Sequence, residues 1–451
     1  MPAFKSPSIA PARQTAFDIL RKIARGRGNS DSLLHSLQVD RLSPQDRNLC
    51  TMLVLGTLRW QRVLDAECRR FLKQPDQALP QDAMLALRVG AYQLLFLDRI
   101  PAHAAVFESV EWSKHSEAAH QSGLINAVLR KVAALPKTTK LTAELAYPQW
   151  MVARWEKFYG AEACLRICAQ GQTEPETTFR LLNSDAEEDL RSCGIVFEPG
   201  AFLANARILV EDTRNQNSSV EDLAHAQFQD EGSQLVAELL GRGERILDCC
   251  AAPGGKTAVL MQNNPGAHVL ACDIHPARLA AMRRRLTAAQ RQASVEYLLA
   301  DAATLTGIGP FDRILCDVPC TGTGTLARNP EIRHRLQPED LTRQAERRQS
   351  ILSATLRLLA PGGRLLYSTC SLETEENEAV VEACLRSAEN SARRWNLLDL
   401  REEFDRLTQQ GIVHGVAGEL LRANGFRNGY LRTLPGLHPC DGFFAALIER
   451  R

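Results

Sequence analysis

The sequence predicts a multidomain protein in three parts: an all-α front domain over residues 1–140, a small α+β module over 145–232, and a doubly wound, mostly parallel α/β domain over 233–451. Three observations carry this. The first third repeats apolar residues at helical spacing, the last half alternates strand-like and helix-like runs, and 451 residues exceed the roughly 150 of one ordinary domain.

The helical pattern opens in A-R-Q-T-A-F-D-I-L-R-K-I, where Ala16, Ile19, Leu20 and Ile23 fall on one face. Amphipathic runs follow in D-R-N-L-C-T-M-L-V-L-G-T-L-R-W, M-L-A-L-R-V-G-A-Y-Q-L-L-F-L and V-F-E-S-V-E-W-S-K-H. Turns such as Leu42-Ser43-Pro44 and Ile100-Pro101 separate them, with Ser43 placed to cap a helix starting at Pro44. Six to eight helices are expected. The stretch from Leu135 to Trp150, with a proline near each end, reads as a connection. Behind it, a helix in W-M-V-A-R-W-E-K-F-Y-G, a strand in T-T-F-R-L-L-N and short further elements form the small module. From about 233 the order is helix S-Q-L-V-A-E-L-L, strand E-R-I-L-D-C-C, helix K-T-A-V-L-M-Q, strand H-V-L-A-C-D and helix P-A-R-L-A-A-M-R-R-R-L. Strands V-E-Y-L-L-A-D and R-I-L-C-D, a helix before Pro361 and strand R-L-L-Y-S-T-C complete the alternation of a parallel sheet.

Composition narrows the class. Hydrophobic content of 45% and 24% charged residues are ordinary for a soluble protein. No run approaches eighteen apolar residues and the N-terminus has no apolar signal core, so a cytosolic location and no membrane partner are expected. Thirteen cysteines, an odd number, fit reduced thiols better than a disulfide framework. There is no C-x-x-C, only C-x-x-x-C at Cys164/Cys168 and Cys316/Cys320 and the adjacent pair Cys249 and Cys250, so no metal is expected. Net charge is +1, yet residues 1–140 hold 20 Lys+Arg against 12 Asp+Glu. A basic front suits a surface that tracks phosphates, and equally a solvated helical face.

The segment I-L-D-C-C-A-A-P-G-G-K-T leaves an apolar strand, turns through Pro253, Gly254 and Gly255, and enters a helix. Backbone there can approach a ligand, and the helix start offers unpaired N–H groups. Neither the dinucleotide-binding nor the P-loop glycine spacing is present. Asp273, Asp301 and Asp317 end the next strands. Asp273 lies where such a sheet puts the acid that accepts from ribose hydroxyls, and Asp301 can accept from an exocyclic amine. Each could instead cap a helix. Acids for hydroxyls and an amine, without a cationic clamp for a triphosphate, suit S-adenosylmethionine better than ATP or NADP. Two cysteines, Cys320 in D-V-P-C-T-G-T-G and Cys370 in S-T-C-S, come just after two strands of this sheet and could face one crevice.

D-C-C-A-A-P-G-G-K-T, D-V-P-C-T-G-T-G and S-T-C-S-L, in this order, resemble the signature of RNA cytosine-5 methyltransferases of the NOL1/NOP2/Sun family, as do N-P-E-I-R and the ending L-P-G-L-H-P-C-D-G-F-F-A-A-L-I. The front is similar to a NusB-like RNA-binding domain in V-L-G-T-L-R-W, L-R-V-G-A-Y-Q-L-L-F-L-D-R-I-P-A and I-N-A-V-L-R. The resemblance implies a Rossmann-like domain that transfers methyl from S-adenosylmethionine to carbon 5 of a cytosine in small-subunit (16S) ribosomal RNA, in a monomeric protein. It implies cofactor contacts from Cys250, Ala251, Ala252, Pro253, Gly254, Gly255, Lys256, Asp273, Asp301 and Asp317.

Carbon 5 of cytosine is too electron-poor to attack a methyl group until a nucleophile adds to carbon 6, and a thiolate does this well. A base must then take the carbon 5 hydrogen so that the thiolate leaves. Residue types do not rank the two thiols. The resemblance makes Cys370 the nucleophile, gives Cys320 the breakdown of the adduct, and sets Asp317 on the ring nitrogen and amine edge of the base. Pro319 would fix the backbone between Asp317 and Cys320. Arg283, Arg284 and Arg285, and the group Arg328, Arg333 and Arg335, are candidate phosphate contacts or solvated faces. The rival readings are a transfer-RNA cytosine-5 methyltransferase and a non-catalytic NusB-like RNA-binding or antitermination factor.

Overall fold

The computed structural model describes residues 9–135, 142–183, 185–213, 226–289, 294–387 and 395–451. Contacts divide the chain into two compact units, one running to Glu174 and including Leu326–Arg335, the other holding Pro175–Thr325 and Leu336–Arg451.

In the first unit the helices are α1 (Pro11–Ala24), α2 (Ser30–Leu34), α3 (Leu37–Asp40), α4 (Pro44–Arg69), α5 (Gln81–Phe96), α6 (Ala102–Lys114) and α7 (Ser122–Val132). The face read from α1 is buried as expected, and Phe17 beside it stacks on Trp112 with centroids 4.3 Å apart. Phe17, Ile19, Leu20 and Ile23 each contribute about 1.5–3 kcal/mol on burial. Ser43 accepts from the Asp46 N–H at 3.2 Å and Pro44 opens α4, so this helix starts where its capping signal lies. Gly56 brings α4 close to α5, because a Cβ there would meet the Tyr92 ring at 1.9 Å.

The sequence places the start of the small module at 145, but α8 (Gln149–Tyr159) and α9 (Ala161–Gln170) belong to the helical unit. The reason is aromatic. Tyr147 packs edge-on against buried Trp155, donates to the Cys168 carbonyl at 3.1 Å, and carries the Arg333 guanidinium on its face. Of the connecting stretch, 136–141 lies outside the described residues.

The second unit begins with a four-stranded antiparallel sheet of order β2-β3-β1-β4: β1 (Thr178–Leu181), β2 (Ile195–Pro199), β3 (Ala206–Asp212) and β4 (Ala226–Phe228), with α10 (Ala186–Ser192) between β1 and β2. Its own core holds Phe179, Leu190, Ile195 and Phe197. Arg180 of β1 pairs with Glu238 at the end of α11 (Glu231–Glu238), both side chains buried, and so ties this sheet to the helix that leads into the main sheet.

The main sheet uses β5 (Arg245–Asp248), β6 (His268–Asp273), β7 (Ser294–Leu299), β8 (Phe311–Asp317) and β9 (Leu359–Thr369) in the parallel order β7-β6-β5-β8-β9. The helices α12 (Gly255–Asn263), α13 (Pro276–Ala289) and α15 (Pro338–Leu356) lie between strands in sequence; the short α14 (Ile332–Arg335) falls in the first unit. The chain closes with α16 (Glu378–Arg386), β10 (Trp395–Leu398), α17 (Leu400–Gln409), α18 (Gly415–Asn424), β11 (Phe426–Arg427), β12 (Tyr430–Arg432) and β13 (Phe444–Arg450). β13 lies antiparallel to β9. Strand order reverses between β5 and β8, so the crevice of this sheet opens where the β5 and β8 loops part.

Candidate active site

β8 and β9 are parallel neighbours with Asp317 opposite Ser368, so the residues just beyond both strands emerge at one edge. There the structure brings the two expected thiols together. The Cys320 and Cys370 sulfurs lie 3.2 Å apart, and both are free cysteines. The contact with Cys370 and burial push the Cys320 thiol well above its ordinary value, so it holds its proton at neutral pH.

Asp317 closes β8 beside them. Its Oδ2 accepts from Lys256 Nζ at 2.8 Å and its Oδ1 from Ser368 Oγ at 2.6 Å. Burial works against the Lys256 ammonium, but the Asp317 carboxylate outweighs it and holds the group above its usual range; a Cys370 thiolate adds to that effect. Lys256 also lies over the Phe443 ring at 5.3 Å. Lysine and aspartate thus form one charged edge of the site, with the T-C thiol beside it.

The P-C loop is held from beneath. Thr321 donates its N–H to Glu376 Oε1 at 3.1 Å and its hydroxyl to Glu376 Oε2 at 2.6 Å. Glu376 is 0% exposed and pairs with Arg348, 1% exposed, at 2.5 Å. Gly324 closes the loop: its N–H donates to the Cys370 carbonyl, and a Cβ there would stand 2.1 Å from the Gly442 carbonyl oxygen.

The β5 loop lies at the same edge. The Ala251 N–H donates to the Cys272 carbonyl, and the Ala252 N–H to Asp273 Oδ2 at 3.1 Å, while Arg278 donates to the Ala252 carbonyl. Gly254 has φ +105°, and a Cβ there would press on Met282 at 2.8 Å. Asp248, buried at the strand end, accepts from Thr257 at 2.6 Å, and burial pushes its carboxyl up to about 7. Asp273 Oδ1 accepts from the His275 N–H, so the carboxylate joins the β5 loop to its own turn after β6. Asp301 caps the short turn Ala302–Thr304 through the Ala303 N–H and pairs with Arg347 at 3.1 Å, the capping use that the sequence leaves open.

Three comparisons with known proteins bear on this constellation. Family models match the chain as 16S rRNA methyltransferase RsmB/F over residues 239–449 and as NusB family over 10–134. The chain is 30% identical to the probable ribosomal RNA small subunit methyltransferase B of Bacillus subtilis, over 97% of this chain and 98% of that protein. It is 32% identical to the ribosomal RNA small subunit methyltransferase B of Pseudomonas putida, over 94% and 97%. The chain belongs to the RsmB/F family. It is therefore an RNA methyltransferase with a NusB-family front. The crystal structure of PH0851 shares the fold over 99% of this chain and 100% of that one, with a TM-score of 0.76 and 22% identity.

Set beside the RsmB/F signature, two residues that shape the site, Glu376 and Arg348, had no sequence signal, and two more had one that named no role. Glu376 sits in the turn before α16 and Arg348 inside α15, where their residue types suggest nothing special, while Ser368 and Gly442 fall inside the motifs S-T-C-S-L and L-P-G-L-H-P-C-D-G-F-F-A-A-L-I without a role being readable from their type. Asp230 could have been found: it precedes the S-Q-L-V helix and caps α11, and it also accepts from the Asp441 N–H. Arg333 needs correction. Rather than waiting for phosphate, it is buried and donates to the carbonyls of Arg59, Gly171 and Leu326. Arg335 likewise donates to the Ile23 and Gly28 carbonyls, whereas Arg283, Arg284 and Arg285 lie exposed on α13. No helix among the described residues is long and apolar enough to cross a membrane, and among them no group of three His, Cys, Asp or Glu could hold a metal.

Proposed function

We propose that this RsmB/F-family enzyme methylates carbon 5 of a cytosine in 16S ribosomal RNA through a covalent cysteine adduct, using S-adenosylmethionine. The observation that carries this reading is the pair of free thiols 3.2 Å apart beside the Lys256–Asp317 ion pair.

The residues fit the cofactor. The β5 loop from Cys250 to Lys256, with Asp273, Asp301 and Asp317, offers backbone N–H groups and carboxylates, which suit hydroxyls and amines. Its lysine is committed to Asp317, so no lysine in this loop waits for a polyphosphate. A carboxylate oxygen already holding one N–H keeps a second lone pair for a ligand hydroxyl. When bound, S-adenosylmethionine supplies an electrophilic methyl group. Cys370, within electrostatic reach of the Lys256 ammonium, adds as a thiolate to carbon 6, and the new C–S bond pushes electrons onto carbon 5. Asp317, fixed by Lys256 and Ser368, holds the ring nitrogen and amine edge of the base. After methylation the carbon 5 proton passes to the Cys320 sulfur, its bonding pair restores the 5,6 double bond, and the C–S pair leaves with Cys370. This asks Cys320 to be ionised at that moment. A thiol so weakly acidic gives a strongly basic thiolate. The target base leaves its stack to reach the two sulfurs.

The test is replacement of each thiol, with tritiated cofactor and protein-free 16S ribosomal RNA. Cys370→Ala should abolish both methylation and adduct. Cys320→Ala should leave a covalent RNA–protein band on a denaturing gel. Methylation that survives Cys370→Ala removes it as the nucleophile. Bisulfite mapping of ribosomal and transfer RNA from a deletion strain reads the substrate directly, and a lost mark in transfer RNA alone would replace the ribosomal target.

A further inference from the structure

Glu376 is a carboxylate with no access to solvent, in the turn just after β9, and burying it beside Arg348 costs desolvation of two ions. Arg348 is not there to satisfy itself. Its side chain donates to Gln344 and pairs with Glu376, but its Nε and Nη1 have no hydrogen-bond partner among the described residues. The pair exists for what lies on its other side. Both oxygens of Glu376 are aimed at Thr321, the residue directly after Cys320, and take its N–H and its hydroxyl. Backbone and side chain of one residue held by one carboxylate leave that residue little freedom.

The hold extends to the second thiol. Ser371 comes directly after Cys370, and its hydroxyl lies 3.2 Å from that of Thr321 and 3.3 Å from that of Thr323. The turn carrying Glu376 is itself pinned, since Tyr367 donates to the Glu376 carbonyl at 2.6 Å and Asn377 donates to the Ser371 carbonyl at 2.9 Å. The residues next after the two cysteines therefore meet over one buried carboxylate.

We infer that Glu376 is the positioning residue for Cys320: acting through Thr321, it sets where the P-C sulfur stands relative to the Cys370 sulfur, and so governs release of the RNA adduct more than its formation. This rests on the assignment of release to Cys320 given above. The charge of Glu376 also opposes ionisation of Cys320 while Arg348 favours it, so a neutral residue at 376 makes Cys320 easier to ionise.

The experiment uses the full chain with protein-free 16S ribosomal RNA and tritiated S-adenosylmethionine. It measures adduct formation, adduct decay and cofactor affinity separately for Glu376→Gln, Thr321→Val, Thr321→Ser and Cys320→Ala. Thr321→Val should slow decay at least tenfold while adduct formation and cofactor affinity change by less than threefold, and Thr321→Ser, which keeps the hydroxyl, should restore decay. Glu376→Gln should slow decay in the same way and move its pH profile to lower pH, a shift that a purely structural defect would not produce. Should Glu376→Gln fail to fold, the two Thr321 variants decide alone. If Cys320→Ala traps the adduct while Thr321→Val releases it like the parent, the inference about Glu376 is overturned and the role of Cys320 stands. If Cys320→Ala itself releases normally, the role of Cys320 falls and the inference with it.

Discussion

The two loops that frame the crevice are built by opposite means. The loop from Cys250 to Lys256 is shaped by its own backbone: Gly254 in the left-handed region, Gly255 opening α12, and the carboxylate of Asp273 taking an N–H from it. The P-C loop is shaped by side chains and backbone far away in sequence, with Glu376 beneath Thr321 and Gly442 against Gly324. A loop that must match a ligand's outline needs backbone freedom and closeness. A loop that must hold one sulfur at one distance from another needs anchoring outside itself.

The comparison breaks most visibly at Gly324. Alanine there puts a Cβ 2.1 Å from the Gly442 carbonyl oxygen, backbone against backbone, so the loop must move. Methylation should fall about 100-fold or more with cofactor affinity within about twofold, since misplacement of a reacting group by an ångström costs on that order. Isothermal calorimetry beside a methylation assay separates the two, and an equal loss of both would merge the loops into one element. Next in size is pH. Because release needs the Cys320 thiolate, and burial still pushes its thiol up when Cys370 is bonded to the base, decay of isolated adduct should quicken about tenfold per unit from pH 7 to pH 9, and a flat profile would show that another base takes the proton. Gly254→Ala should give the converse of Gly324→Ala: a strained positive φ of about 1–3 kcal/mol and contact with Met282 should weaken cofactor binding about tenfold, leaving the distance between the thiols as it is. The smallest effect is expected at Asp301. Its ion pair with Arg347 is partly exposed and worth about 0–1 kcal/mol in stability. A tenfold loss of cofactor affinity in Asp301→Ala would make the residue a ligand; an unchanged affinity would leave it a cap.

The same contrast explains what could be read from sequence. The β5 loop was legible because its constraint is local: Pro253, Gly254 and Gly255 between a strand and a helix state their backbone demands in adjacent letters. The five parallel strands and the helices α1, α4, α5 and α6 were legible for the same reason, through periodicity. That Cys320 and Cys370 meet could be expected from both lying just after strands, but their 3.2 Å separation depends on β8 and β9 being neighbours and on Glu376, neither of which any short window contains. α8 and α9 fall on the other side of the connection from the one their sequence suggests because what holds them is Arg333 on Tyr147, a pairing of residues far apart in sequence. Arg333 misleads for the mirror reason: in a basic run it looks like a phosphate contact, and only its burial shows the charge spent on carbonyls.

The segment Leu326–Arg335 sets an order on the making of this protein. Glu331 takes the N–H and hydroxyl of Ser30, the Arg59 guanidinium reaches the Ala327 carbonyl, and His334, kept neutral by burial at about 3, donates to the Leu58 carbonyl. A ribosome that has finished α9 has not finished the helical unit. All of Pro175–Thr325 must leave the exit tunnel before Ser30 and Arg59 receive their partners, several seconds later at ordinary rates of synthesis. The front of the chain, first to be born, is among the last parts to be completed.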